Sequence, residues 1–302
     1  MAVARIDLAD VGSPEKLVAE LLKAEPNLPI PVPIEDLARQ LDIQEIQPLT
    51  TDGFEGGLIT DKPKSSGIIL FNERSPKKRR RFTIAHELAH FLIPTHVPLK
   101  GGQFLCSLQD MYSLARDETD RRLRMEAEAN RFASLVLLPP PIFRRDVEIA
   151  RDPDLQHVIK LSDRFEVSRE ATGRAYINYR DEPAALIVVQ ERRILRSYKN
   201  LRFPFITLGK NAPTPTASQL NRSRLEVGVP SEIDECDPAA WIDVSRGRKA
   251  PTMFEQVLLR RMGFALIMLH IEAGSQDGSE DEDDDPDERL TSRERLQRRR
   301  EW

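Results

Sequence analysis

The segment RFTIAHELAH, residues 81–90, decides both the fold and the chemistry expected of this chain. It contains two histidines four positions apart, with a glutamate directly after the first. Because residues i and i+4 lie on one face of an α-helix, the side chains of His86 and His90 can reach a single cation. Paired imidazoles are typical ligands of tetrahedral Zn2+, and HExxH is the arrangement that zinc hydrolases use.

The surrounding residues predict the helix that this geometry requires. Apolar side chains follow the helical period and form one stripe, made of Ala85, Leu88, Ala89 and Leu92. Thr83 is predicted as a cap near the start of the helix, and Pro94 ends it. Glu87 lies about 100° around the helix from His86, so it can take a proton from a bound water without ligating the metal. Glu87 is therefore predicted to act as the general base.

A catalytic zinc has three protein ligands and one open position, so a third ligand must come from elsewhere in the chain. The alternative interpretation is that two histidines and a glutamate occur together by chance on a partly buried helix, and the third ligand distinguishes the two. Residues 125–139 predict a long amphipathic helix closed by prolines, with Glu126 and Asn130 one turn apart. Glu126 is the predicted third ligand, and Asn130 is predicted to hydrogen-bond a ligating imidazole. Glu128 points about 200° away from Glu126 and is expected to face solvent.

Other candidates for the site have weaker patterns. His96 lacks the spacing and the glycine turn of the metzincin pattern. Cys106 has no supporting signature. The second donor to the oxyanion stays open between Tyr112 and His96.

Two motifs in the right order resemble the ImmA/IrrE family of metallo-endopeptidases. HExxH in residues 81–90 is followed by EAEANRFA at residues 126–133, similar to the family's ExxAN-x-FA helix. Residues 56–72 resemble the small sheet ahead of the active-site helix, and the resemblance covers roughly residues 10–180. Ala89 stands where family members commonly have Gly, which removes no ligand. The resemblance implies regulated proteolysis, in which a repressor or an antitoxin-like DNA-binding protein is cut and transcription is released.

The predicted fold class is α+β, in four parts. We expect a helical zincin-like peptidase domain with a small antiparallel sheet (1–150), a helix-turn-helix-like segment (151–182), a second, smaller α+β domain for sensing or docking (183–273) and a disordered charged tail (274–302). Strand-like runs follow Pro183, and the second domain is predicted to end in a helix over residues 252–271, with His270 at its C-terminal end.

The helix-turn-helix-like segment leads to an alternative function. In DNA-binding versions of this motif the second helix enters the major groove, where Arg169, Arg174 and Arg180 could make contacts. Neighbouring acidic residues offset the positive charge of these arginines. The simpler interpretation is that the segment only packs against the peptidase core. His157, on the first of these helices, is expected at the surface. The alternative is therefore a non-catalytic transcriptional regulator or protein-binding module with a structural metal, for which Glu87 has no use.

Composition narrows the class of protein further. The chain has 302 residues, 40% of them hydrophobic, with a net charge of −4 and two cysteines, which predicts a cytoplasmic protein without a disulfide framework or a membrane partner. A basic run at residues 77–81 is expected to be a solvated turn that pairs with carboxylates such as Glu73 or Asp117. Direct binding of nucleic acid is the less favoured alternative to a protein substrate.

The predicted function is therefore zinc-dependent hydrolysis of an amide bond in a protein, with Zn2+ held by His86, His90 and Glu126 and with Glu87 as the base.

Overall fold

The computed structural model describes residues 3–61, 63–97, 103–106, 121–222, 224–244 and 250–272, and the chain divides into two compact units. The first unit comprises Met1–Phe143 together with Ser162–Ser168, and the second comprises Arg144–Leu161 together with Arg169–Trp302. Helices and a β-sheet occur in each of them, so the predicted α+β class is confirmed.

Four helices build the first unit around the HExxH segment. Their bounds are α1 (Pro14–Ala24), α2 (Ile34–Gln40), α3 (Lys77–Leu92) and α4 (Arg121–Leu137). The helix that carries the histidines, α3, contacts α2, α4 and two strands of the sheet. It is buried continuously from Thr83 to Leu92. This burial excludes water from the helix face on which a metal site is expected.

The start of α3 differs from the prediction. The helix begins at Lys77, with Pro76 in the position before it, so Thr83 lies in its interior rather than at a cap. Thr83 is 1% exposed and packs against the sheet. Proline is compatible with a helix start because a backbone N–H at this position has no acceptor within the helix, so its absence costs no helical hydrogen bond. The basic run that was expected in a turn therefore forms the first turns of α3.

Carboxylates from two other parts of the first unit neutralise this basic run. Lys77 and Arg81 pair with Glu166, and Lys78 pairs with Asp163. Arg79 lies 3.8 Å from the Glu55 carboxylate. These partners replace the predicted Glu73, and the other predicted partner, Asp117, lies outside the described residues. Positive charge at a helix N-terminus opposes the macrodipole, and the carboxylates offset this cost.

The sheet of the first unit has four strands in the order β1-β3-β2-β4. The strands are β1 (Ile43–Leu49), β2 (Gly56–Thr60), β3 (Gly67–Asn72) and β4 (Gln103–Cys106). β2 pairs antiparallel with both of its neighbours, whereas β1 pairs parallel with β3. The sheet is therefore mixed, and β2 and β3 lie against α3.

The second unit is built on a five-stranded antiparallel sheet in the order β6-β5-β9-β8-β7. The strands are β5 (Ala184–Gln190), β6 (Arg193–Lys199), β7 (Asp234–Cys236), β8 (Met253–Leu259) and β9 (Phe264–Ile271). The remaining helices are α5 (Pro140–Val147), α6 (Leu155–Arg164), α7 (Arg169–Asn178) and α8 (Gln219–Arg222). Trp241 is fully buried in a core formed around this sheet.

The predicted helix over residues 252–271 is wrong, because this segment forms the hairpin of β8 and β9. Met262 and Gly263 have φ values of 57° and 70°, which belong to a turn and not to a helix. Both strands are buried along nearly their whole length. A strand that is covered on both faces has a continuous apolar sequence, which periodicity alone does not distinguish from a buried helix. His270 accordingly lies in β9, stacked on Phe254 with ring centroids 5.1 Å apart.

No helix among the described residues has the length and apolar content needed to cross a bilayer.

Candidate metal centre

Two helices of the first unit bring His86, His90 and Glu126 together. The Nε2 atoms of the two imidazoles are 3.1 Å apart. The Glu126 carboxylate on α4 lies 3.1 Å from His86 Nε2 and 3.7 Å from His90 Nε2. All three side chains are buried, and this is the group of described residues that could hold a metal ion. The helical period of α3 and the packing of α4 on α3 create this convergence.

The spacing of these donor atoms fits one tetrahedral cation. Ligand bonds of about 2.0–2.1 Å in a tetrahedron place donor atoms about 3.3 Å from one another. The two imidazole nitrogens are 3.1 Å apart, and the two Glu126 oxygens lie 3.1 Å from His86 (Oε2) and 3.7 Å from His90 (Oε1), so these separations are close to this value. Two imidazoles and one carboxylate are also a donor set of catalytic zinc sites. The residues present therefore fit a divalent metal with one position left open.

Asn130 orients the first imidazole. His86 Nδ1 lies 3.0 Å from the Asn130 side-chain oxygen, one turn along α4 from Glu126. Because an amide oxygen only accepts, His86 carries its proton on Nδ1 and its lone pair on Nε2. The lone pair therefore faces the other donor atoms, as metal binding requires.

His96 and Glu128 lie behind the second imidazole, where sequence reasoning did not place them. His96 Nδ1 is 3.0 Å from His90 Nδ1, and His96 Nε2 is 2.9 Å from the Glu128 carboxylate. The expectation that Glu128 faces solvent is wrong, since its side chain is 32% exposed and contacts the fully buried His96. The chain leaves the helix after Leu92, so helical spacing gave no signal for His96.

Burial and mutual contacts shift the pKa values of the cluster in opposite directions. Burial lowers the pKa of His90 to about 4 and that of His96 further still, so both imidazoles are neutral. Burial alone raises the pKa of Glu126, but its contacts with His86 and His90 outweigh burial and bring the pKa far below its ordinary value. Glu126 is therefore ionised, and a neutral His90 has a lone pair that could bind a metal.

Glu87 lies on α3 against the start of β2. Its side chain is fully buried, and its Oε1 atom is 2.8 Å from the point where a Cβ on Gly56 would lie. The same point is 2.3 Å from the methyl carbon of Thr83. A side chain at residue 56 would therefore collide with both, and only glycine leaves room for the observed position of Glu87.

Lys64 holds the C-terminal end of α3. Its ammonium donates to the backbone oxygens of His90 and Ile93, at 2.6 and 2.8 Å. Burial, with a smaller contribution from Arg5, lowers the pKa of Lys64 to about 8. A cation on the last carbonyls of a helix is favourable with the macrodipole. The sequence contained no signal for this contact, since Lys64 lies in the turn before β3.

The other predicted residues lie away from this cluster or outside the described part of the chain. Tyr112 and the side chain of Cys106 lie outside the described residues. His157 is half-buried against Tyr176, not at the surface as expected. Arg180 is buried and donates to the backbone oxygens of Val147, Ala150 and Arg151, which is the role of a structural side chain.

A buried group of two histidines and one glutamate that could hold a metal ion fits the general class of metallopeptidases, which the family comparison supports. Residues 49–175 match the family model described as the IrrE N-terminal-like domain, a peptidase family. This match confirms the resemblance to the ImmA/IrrE family that the motifs of this segment show.

No curated protein matches the chain significantly. A solved structure described as a Mycobacterium tuberculosis transcriptional regulator aligns with a TM-score of 0.48 and 16% identity, over 85% of this chain and 70% of that chain.

Proposed function

We propose that this chain is a zinc-dependent endopeptidase with His86, His90 and Glu126 as metal ligands and Glu87 as general base. The buried triangle of donor atoms on α3 and α4 carries the proposal. Among the described residues three side chains converge, whereas a structural zinc site is normally closed by four. An open fourth position favours catalysis over a purely structural metal.

A bound zinc ion supplies Lewis-acid chemistry, since it lowers the pKa of a water molecule and polarises the carbonyl of the scissile peptide. Glu87 accepts the proton that the water loses as its oxygen bonds to the carbonyl carbon. When the carbon–nitrogen bond breaks, Glu87 returns this proton to the leaving amine. Water is thereby divided between the two products, and the enzyme ends in its starting state.

Asn130 contributes by holding His86 in one tautomer, so that the lone pair of Nε2 is available before the metal binds. Glu126 contributes a buried negative charge, which offsets part of the positive charge that a divalent cation would bring into the site.

We propose a DNA-binding repressor or antitoxin-like protein as the substrate, whose cleavage relieves repression. The support is the match of residues 49–175 to the IrrE N-terminal-like domain, together with the resemblance of the motifs to the ImmA/IrrE family, which implies regulated proteolysis. The chemistry of the site itself requires only an accessible peptide bond.

The test compares wild type with Glu87→Gln, measuring zinc by mass spectrometry and cleavage of a peptide library made from digested cell protein. We expect one zinc in both proteins and a loss of cleavage of at least about 100-fold in the variant, because glutamine cannot take the proton.

Glu45→Gln is a matched control, since Glu45 is an exposed residue on β1 away from the cluster. It should keep both zinc and cleavage. A Glu87→Gln protein that still cuts the library would overturn the assignment of the base, and a wild type that binds no zinc would overturn the proposed function.

A further inference from the structure

The two ligand imidazoles are supported differently at their Nδ1 atoms. Asn130 accepts from His86, whereas the partner of His90 is another imidazole, His96, followed by the Glu128 carboxylate. His96 is fully buried and Glu128 is partly buried, and the two contacts measure 3.0 and 2.9 Å. The three groups form one continuous chain of hydrogen bonds, which ends at the partly exposed carboxylate of Glu128.

The protons of this chain can be placed by elimination. An ionised carboxylate only accepts, so His96 must donate to Glu128 from Nε2. A neutral imidazole has one N–H, which leaves a lone pair on His96 Nδ1. His90 must then donate from its own Nδ1, and its Nε2 keeps a lone pair. This lone pair points to the side of His86 and Glu126.

His90 and His96 are both fully buried, so the two rings keep these partners and do not exchange them for water. Reversing the order would place two lone pairs, those of His96 Nε2 and the carboxylate, against each other.

We propose that His96 and Glu128 are positioning residues that hold His90 in the tautomer with an unprotonated Nε2, which can then bind the metal. The inference rests on the proposed function, because it assigns these residues to the same metal site. Neither residue touches the cation or the substrate. Their effect passes through His90, as it does for other partners of metal-ligating histidines.

The first measurement is the tautomer of each histidine in the metal-free full chain, from long-range proton–nitrogen NMR spectra of protein labelled with 15N-histidine. Five histidines are present, and His157 and His270 in the second unit serve as references. We expect the proton of His90 on Nδ1 and that of His96 on Nε2. In Glu128→Ala, His96 should populate both tautomers, and part of His90 should move its proton to Nε2.

The second measurement is zinc affinity, by competition with a chelator at constant pH. Glu128→Ala and His96→Phe should bind zinc about 10–100-fold more weakly, the range found for such partners. Glu128→Gln keeps an oxygen that accepts from His96, so it should restore both the tautomers and most of the affinity. The partial exposure of Glu128 makes its variants tolerable to the fold even where His96→Phe is not.

Glu20→Ala is the matched control, since Glu20 on α1 is an exposed carboxylate of the same unit that accepts from Lys23. It should change neither measurement. A wild-type His90 with its proton on Nε2, or a Glu128→Ala protein with unchanged tautomers and affinity, overturns the positioning role while the peptidase proposal stands. A wild type with the expected tautomers that binds no zinc overturns the proposed function, and with it the role of these residues at a metal.

Discussion

At the scale of single residues, the site depends on small features next to the ligands. Gly56 is one of them, because its missing side chain makes room for Glu87 and Thr83. Proton transfer requires a base that is placed to within fractions of an ångström, and a displacement of about 1 Å can cost about 100-fold in rate. A residue that does no chemistry can therefore limit the reaction.

Gly56→Ala should lower kcat by about 10–100-fold while zinc stays bound, because the new methyl group displaces Glu87 and not the ligands. Crowding should also lower the free energy of unfolding by about 1–3 kcal/mol. Steady-state cleavage of the peptide library and zinc content measure the two effects.

Gly67→Ala provides a comparison in the same sheet. Its added Cβ would meet side-chain carbons of Ile43, Leu58 and Phe91 and not Glu87. We expect a similar loss of stability with kcat nearly unchanged in the folded protein. Equal losses of kcat in the two variants would contradict a specific role for Gly56.

Glu255, on β8 of the second unit, is a buried acid outside the metal centre. It is 0% exposed and accepts a hydrogen bond from Ser218. Burial raises its pKa above the ordinary value of 4.5. Between the pKa of the unfolded chain and the raised pKa of the folded protein, Glu255 is protonated in the folded state and ionised in the unfolded state. The stability that this protonation contributes is therefore complete below about pH 4.5 and is lost as the pH rises through the raised pKa.

Glu255→Gln should therefore stabilise the second unit at pH 8 by an amount of the order of 1 kcal/mol, and the gain should shrink as the pH falls towards 4.5. Urea unfolding followed by the fluorescence of buried Trp241 measures this difference. Glu226→Gln, at an exposed position, should show no such trend. A variant that is less stable than wild type at pH 8 would contradict the interpretation.

At the scale of elements, α3 is held at both ends. The carboxylates of Glu55, Asp163 and Glu166 pair with the basic residues of its first turns, and Lys64 binds carbonyls of its last turn. The more exposed pairs, those of Lys77 and Lys78, each contribute little, because solvent screens them. The Lys64 contacts are partly buried and charge-assisted, so they are stronger.

Lys64→Met should lower the free energy of unfolding by about 2 kcal/mol, since two hydrogen bonds from a charged donor are lost. His90 belongs to this last turn, so we also expect weaker zinc binding. Chemical denaturation and a zinc titration test the two effects. Lys199→Met is the control in the second unit, where the ammonium likewise donates to a backbone oxygen, that of Phe203; it should leave zinc affinity unchanged.

At the scale of the whole molecule, the two units have separate cores, and the proposed metal lies in the first. A ligand that binds only the folded state stabilises it by RT ln(1 + [L]/Kd), or about 4 kcal/mol at 1,000 times Kd. Removal of zinc should therefore destabilise the first unit selectively.

Calorimetry with saturating zinc and with a chelator should show one transition that moves to lower temperature on metal removal. The transition reported by Trp241 in the second unit should stay in place. Equal shifts of both transitions, or no shift at all, would contradict a metal confined to the first unit.

Much of the architecture and the candidate ligands could be predicted from sequence because their signals are local. His86 and His90 are one helical turn apart, as are Glu126 and Asn130, and helical geometry alone places each pair on one face. That the two pairs meet required a second inference, from motif order and family resemblance. In the structure α3 and α4 pack against each other and bring them within hydrogen-bond distance.

The sequence by itself determined the α+β class, the helix with HExxH and the residues of the donor set. Only the tertiary structure decided the place of His96, Glu128, Gly56 and Lys64, because each makes its contact through packing between segments that are distant in the chain. The same reason explains the hairpin at residues 253–271: a buried strand and a buried helix have equally apolar sequences, and neighbouring strands decide between them.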